Sequence, residues 1–221
     1  MSTHFRKLPL ILLVLAATSS GLNAQTLAVG GRAGTFGLGG EAILGLGGNL
    51  ALRAGFGLIP GNPSATFSGI KYEIRPPSSL TSVGADLNVP GGLRLFGGIL
   101  FGAKSTEFTG RLAQSARIGD QTYTPAQAGT LEGALKSKSA APFLGLGFGR
   151  YGSASVGITL DLGVAFMGEN DLELAATGPF RNDPTFQQEL EKERASVEAD
   201  LRKYTRLYPV LNLGLHVAVL R

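Results

Sequence analysis

The sequence contains no cysteine and no tryptophan, and only 16 % of its residues are Asp, Glu, Lys or Arg. Without cysteine there is no disulfide framework, no thiolate metal site and no cysteine nucleophile. The charged fraction lies well below the ~25 % usual for a soluble domain. Long apolar runs are missing too. Hydrophobic residues make up 43 % of the chain, yet beyond the N-terminus glycines or charges interrupt every stretch before the about 20 apolar residues of a spanning helix. Apolar content divided into short pieces suits strands. The formal charge of +4 includes Arg6 and Lys7, and the remainder is close to neutral. With no Lys/Arg cluster, nucleic acid is not an expected partner.

What the chain has in excess is glycine: 33 of 221 residues, about twice the typical ~7 %. It also has an address. Arg6 and Lys7 form a positive n-region, Leu8 to Ala17 an apolar h-region, and Gly21-Leu22-Asn23-Ala24 a small-residue cleavage site. Residues 1–24 are therefore expected to be a signal peptide, with residues 25–221 forming one exported domain.

From Leu27 onward, apolar and small residues alternate with period two. Val156, Ile158, Leu160, Leu162, Val164 and Phe166 share one face, and Leu211, Leu213, Leu215, Val217 and Val219 repeat the pattern. This predicts eight strands near 26–35, 38–46, 50–59, 70–89, 92–107, 132–149, 154–175 and 204–220. Tight turns are expected at Gly47-Gly48-Asn49, Pro90-Gly91 and Arg150 to Ser153, with long loops over 60–69, 108–131 and 176–203. Short turns at one rim and long loops at the other characterise bacterial outer-membrane barrels, and an even strand number brings both ends to one side. The glycines decide between barrel types. A solvated sheet face favours Thr, Lys, Glu or Ser, because interior glycine weakens a strand. A narrow lumen, in contrast, needs small residues beside a few large ones. The fold expected is all-β, an eight-stranded antiparallel transmembrane barrel. In the last loop Asp183-Pro184 reads as an N-cap with proline at the first helical position. The helix expected over 184–203 has Phe186, Leu190, Val197 and Leu201 near one face.

With the bulky face toward lipid, the opposite face carries Arg32, Glu41, Arg53, Asp86, Arg94 and Asp161, together with Asn88, Asn212 and His216. Three arginines against three carboxylates predict a paired network, because isolated charges in a narrow lumen are costly. Such a network either plugs the barrel or lines a narrow pore for small polar or charged solutes. No catalytic residue, cofactor site or metal site is expected. His216 stands without a nucleophile motif, clustered ligands are missing, and Gly145-Leu146-Gly147-Phe148-Gly149 lacks the strand-loop-helix context of a phosphate loop. The chain is not expected to be an enzyme.

Several motifs resemble the CarO-like family of small gammaproteobacterial outer-membrane channels. They are Ile118-Gly119-Asp120-Gln121-Thr122-Tyr123; Ala141-Pro142-Phe143-Leu144-Gly145-Leu146-Gly147-Phe148-Gly149; Asp161-Leu162-Gly163-Val164 leading to Met167-Gly168; and Leu207-Tyr208-Pro209-Val210. The resemblance implies an eight-stranded barrel and passive uptake of small polar solutes, basic amino acids included. The chain departs from the pattern in ending Val219-Leu220-Arg221 without an aromatic residue. Lacking tryptophan, any interfacial belt falls to residues such as Tyr72, Phe101, Phe148, Tyr151, Phe166 and Tyr208. The expected function is a narrow outer-membrane pore; the alternative is a closed structural or recognition barrel. Expected partners are outer-membrane lipid, the barrel assembly machinery during biogenesis and small polar solutes.

Overall fold

A computed structural model describes residues 26–67, 70–103, 105–149, 151, 156–168 and 171–220. The expected signal peptide lies outside the described residues. Eight antiparallel strands close into a barrel. They are β1 (Thr26–Gly34), β2 (Leu38–Gly45), β3 (Leu50–Leu58), β6 (Ser79–Asn88), β7 (Leu93–Phe101), β12 (Ala140–Phe148), β13 (Val156–Phe166) and β15 (Leu207–Leu220). Around the barrel the order is β1-β15-β13-β12-β7-β6-β3-β2. Closure pairs β1 with β15, from Leu27 opposite Leu220 to Gly34 opposite Asn212, so no strand edge is left open to lipid. Among the described residues no helix is long and apolar enough to cross a membrane. A barrel crosses with strands.

Four of the predicted strands were too long. Residues 70–89 form two strands, β5 (Ile70–Arg75) and β6, in different sheets. The same happens to 92–107, divided between β7 and β8 (Ser105–Leu112), to 132–149, divided between β11 (Thr130–Lys136) and β12, and to 154–175, divided between β13 and β14 (Asp171–Ala176). The outer pieces join β4 (Ser64–Phe67) in a five-stranded sheet ordered β14-β11-β8-β5-β4. Three of the four breaks have local causes. Pro76-Pro77 deprives the chain of two ladder donors, and Gly102 and Gly168 adopt φ of 97° and 78°, which a strand does not.

The segment 108–131, expected to be a loop, contains the end of β8 as well as β9 (Ala116–Ile118), β10 (Gln121–Tyr123) and α1 (Pro125–Ala128). The last connection holds α2 (Pro184–Thr205), with the Asp183 side chain accepting from Phe186 N at 2.9 Å. Residues 204 and 205, expected in the last strand, end this helix instead. Phe186 and Leu190 are buried with Ile70, Leu112, Ile118, Tyr123 and Leu131 in a core of their own. The long loops thus fold into a small domain on one rim of the barrel.

Outside the barrel, Leu52, Leu95, Ile99, Leu144, Leu146, Ile158, Leu211, Leu213 and Leu215 are all exposed. This apolar surface encircles the barrel, far beyond the few hundred Å² a soluble monomer shows. A lipid-facing site does not tolerate charge. Leu146→Arg is expected to destabilise the barrel in phospholipid bilayers by about 2–4 kcal/mol. The same change at Phe180, exposed on the rim domain, should leave equilibrium unfolding almost unaltered.

Candidate functional site: the charged lumen

Period-two geometry turns every second barrel residue inward, and the inward set is the one with charges. Arg32, Glu41, Arg53, Asp86, Arg94, Asp161, Asn212 and His216 are all buried inside the barrel. Asn88, half-buried at the tight-turn rim, donates from Nδ2 to Asn49 O at 3.2 Å.

Room for these side chains comes from glycine in register. Arg32 lies opposite Gly39 and Gly214; Glu41 opposite Gly30 and Gly55; Arg53 opposite Gly84. Gly147 faces both Arg94 and Asp161, and His216 faces Gly30 and Gly157. Phe96 and Phe143 face Gly145 and Gly98. A Cβ at Gly147 would come within 2.7 Å of Arg94 Cζ and 3.0 Å of Asp161 Oδ1. At Gly55 it would meet Arg32 Nη1 at 2.6 Å. Asp86 is the exception, facing Ala51 and Phe96.

The pairing centres on two arginines that share two aspartates. Arg94 Nη1 donates to Asp86 Oδ1 and Nη2 to Asp161 Oδ1, both at 2.7 Å, while Nε donates to Gly149 O at 2.9 Å. Arg53 Nη1 lies 2.5 Å from Asp161 Oδ2, and its Nε 3.2 Å from Asp86 Oδ2. His216 Nε2 holds Glu41 Oε1 at 2.5 Å. Arg32 Nη1 donates to Ser82 Oγ at 2.9 Å and stands 3.7 Å from Glu41 Oε2. Asn212 Oδ1 accepts from Phe36 N at 3.1 Å. In a low-dielectric interior such mutual satisfaction is what makes burial of charge tolerable.

Sequence reasoning missed part of the lining. Ser82, Phe96 and Phe143 lie inward in phase with Asp86, Arg94 and Gly147, so their alternation was available to be read. Tyr151 gave no such signal, because it sits in a turn. Expected in the outer belt, it packs on Ala28, Ile43 and Ala51, with Arg94 over its ring at 4.4 Å and donating to its hydroxyl. Tyr72 and Tyr208 leave the belt as well. Tyr72 packs against the rim-domain core, and Tyr208 turns inward, its hydroxyl donating to Thr35 O at 2.6 Å. Phe101, Phe148 and Phe166 remain exposed on the barrel.

Along the axis the lumen has three layers. Ala28, Ile43, Ala51 and Tyr151 close the tight-turn end. The charged layer follows. Phe36, Leu80, Phe96, Leu100, Phe143 and Val210 then fill the end below the rim domain. Between charged and aromatic layers there remains a cavity with room for about one water-sized particle. Among the described residues no group of three His, Asp or Glu could hold a metal ion.

The rim domain carries its own clamp. Glu189 Oε2 accepts from Asp120 N at 2.5 Å and Glu193 Oε2 from Gly119 N at 3.0 Å, fixing α2 to the β9–β10 turn. Hydrogen bonds from Lys192 hold the Asp120 and Glu189 carboxyls below their ordinary range, and the Asp120 backbone N–H adds to this for Glu189.

The chain matches no protein-family model and no curated protein. Among the solved structures similar to the chain are two crystal structures of Acinetobacter proteins. Acinetobacter baumannii CarO2 aligns over 87 % of this chain and 98 % of its own, with TM-score 0.62 and 20 % identity. Acinetobacter baumannii CarO aligns over 86 % and 96 %, with TM-score 0.55 and 19 % identity. The chain has the fold of these barrels. At such identity the likeness extends to the fold alone.

The shared carboxylates make Arg94 a sensitive probe. Arg94→Ala leaves Asp86 and Asp161 buried with one partner fewer, at an expected cost of about 3–5 kcal/mol. Adding Asp86→Asn should cost less than the sum of the single changes by about 0.5–3 kcal/mol, as measured by unfolding in detergent.

Proposed function

We propose that this chain is an integral outer-membrane barrel, exported with loss of residues 1–24, that stands closed at rest and presents its folded rim domain at the cell surface. Outer-membrane lipid is its solvent, and the assembly machinery its partner during biogenesis. The observation carrying this reading is the burial of the whole charged layer: Arg94 and Asp86 are each 0 % exposed, with apolar side chains above and below. An aqueous pore would leave such groups in water.

A second reading is favoured by the cavity beside Arg32 and by the mixed charges around it. In that reading the barrel passes small polar solutes, such as the basic amino acids implied by the CarO resemblance, when the ion pairs rearrange. Planar-bilayer recording separates the two. The closed barrel should give an electrically silent membrane for the wild type, and openings after the double change Arg53→Ala with Arg94→Ala. Small wild-type conductance steps that Asp161→Ala alters would favour the pore.

A further inference from the structure

One connection at the rim stands apart from the others. Those after β3, β7 and β13 are long and carry the strands and helices of the rim domain, whereas β1 and β2 are joined by Thr35-Phe36-Gly37 alone. This turn folds into the barrel mouth. Phe36 is 3 % exposed, its ring edge-on to Phe143 at 5.3 Å, with Arg32 Cζ over its face at 5.3 Å. It belongs to the apolar layer at the rim end and also lines the small cavity, together with Arg32, Ser82 and Asn212. The last bond to β15 made by backbone alone is Thr35 N to Leu211 O, at 2.9 Å. Side chains make the remaining ties, all to one stretch of β15. Phe36 N donates to Asn212 Oδ1 at 3.1 Å, Leu211 N to Thr35 Oγ1 at 2.9 Å, and the Tyr208 hydroxyl to Thr35 O at 2.6 Å. Toward β3 the turn rests on bare backbone. A Cβ at Gly57 would collide with Phe36 O, and one at Gly37, where φ is 89°, would stand 2.5 Å from Leu58 O.

We propose that the turn over residues 35–37 is a movable plug for the rim end of the lumen, latched by Asn212 and Tyr208, whose outward swing opens the cavity to the rim side. Its attachments are of the kind that motion requires. Side-chain bonds are given up singly while the barrel ladder stays whole, and the glycines at 34 and 37 absorb the change in backbone angles. Moving any of the three longer connections would instead pull apart the rim-domain sheet and its buried core. The glycine seat serves the same end, because a turn resting on bare backbone lifts away without dragging interlocked side chains.

The inference rests on the closed lumen and concerns access to it, since the charged layer remains below the plug. Ser82, in the lining of the same cavity, serves as reporter. The exported chain carrying Ser82→Cys is refolded into liposomes, and the adduct of a small charged methanethiosulfonate reagent is followed by mass. Without a second change the thiol should be protected. Asn212→Ala removes the latch and should speed labelling about tenfold, the effect of losing one buried hydrogen bond from the closed form. Gly57→Ala removes no contact but unseats the turn, and should act in the same direction. Leu80→Ala takes bulk from the same apolar layer without touching the plug, and should leave the thiol protected. Labelling that stays slow in both Asn212→Ala and Gly57→Ala, or that rises equally in Leu80→Ala, would overturn the plug alone. Rapid labelling with no second change would contradict the closed lumen and the plug with it. Should one of the two opening variants lack the heat-modifiable migration of a folded barrel, the other decides.

Discussion

An eight-stranded barrel encloses space for its own side chains and little more. Three arginines, three carboxylates, a histidine and several phenylalanines can occupy that space only if something else is left out. Here the volume left out is Cβ. Strand register sets glycine beside Arg32, Glu41, Arg53, Arg94, Asp161, His216, Phe96 and Phe143. The glycine content that makes the composition unusual is thus a steric requirement of the charges. The two features depend on each other: glycine without the large groups would leave voids, and the large groups without glycine would force the barrel open.

From that packing the electrostatics follows. With water excluded at both ends, each charge must find its partner inside the lumen, and a planar guanidinium with several donors suits sharing two carboxylates at once. Arg53 and Arg94 each contact Asp86 and Asp161, forming a four-membered ring of charge. Glu41 with His216 and Arg32 with Ser82 stand at its edge. A network closed on itself fixes the barrel's cross-section from within, while lipid acts on its outer face.

Much of this was legible in the sequence because a strand has only two faces. Once Leu211 to Val219 and Val156 to Phe166 fix which parity is bulky, the parity of Arg53, Asp86, Arg94, Asp161 and His216 follows without coordinates. Asp183-Pro184 likewise announced α2 through local chemistry alone. What was not legible depends on distant partners. Alternation continues from β6 back through β5 and from β12 back through β11, so periodicity cannot say that the sheets change between them. Pro76-Pro77 was a readable break, and its position inside a predicted strand was the clue to the rim domain. The Ile118-Gly119-Asp120 turn is clamped by Glu189 and Glu193, some 70 residues away, a contact no local pattern reveals. Tyr151 as a lid belongs to the same class.

Closure of the lumen is the central claim, and the natural absence of cysteine makes it directly measurable. Ser82 lies in the charged layer and is 3 % exposed; Thr122, in contrast, is exposed on the rim domain. Single variants Ser82→Cys and Thr122→Cys, refolded into liposomes, can be treated with a small charged methanethiosulfonate reagent and the adduct followed by mass. A closed barrel predicts rapid labelling at position 122 and none at position 82 over the same interval. Labelling at 82 at a comparable rate, in a barrel shown to be folded by its heat-modifiable migration, would contradict the account.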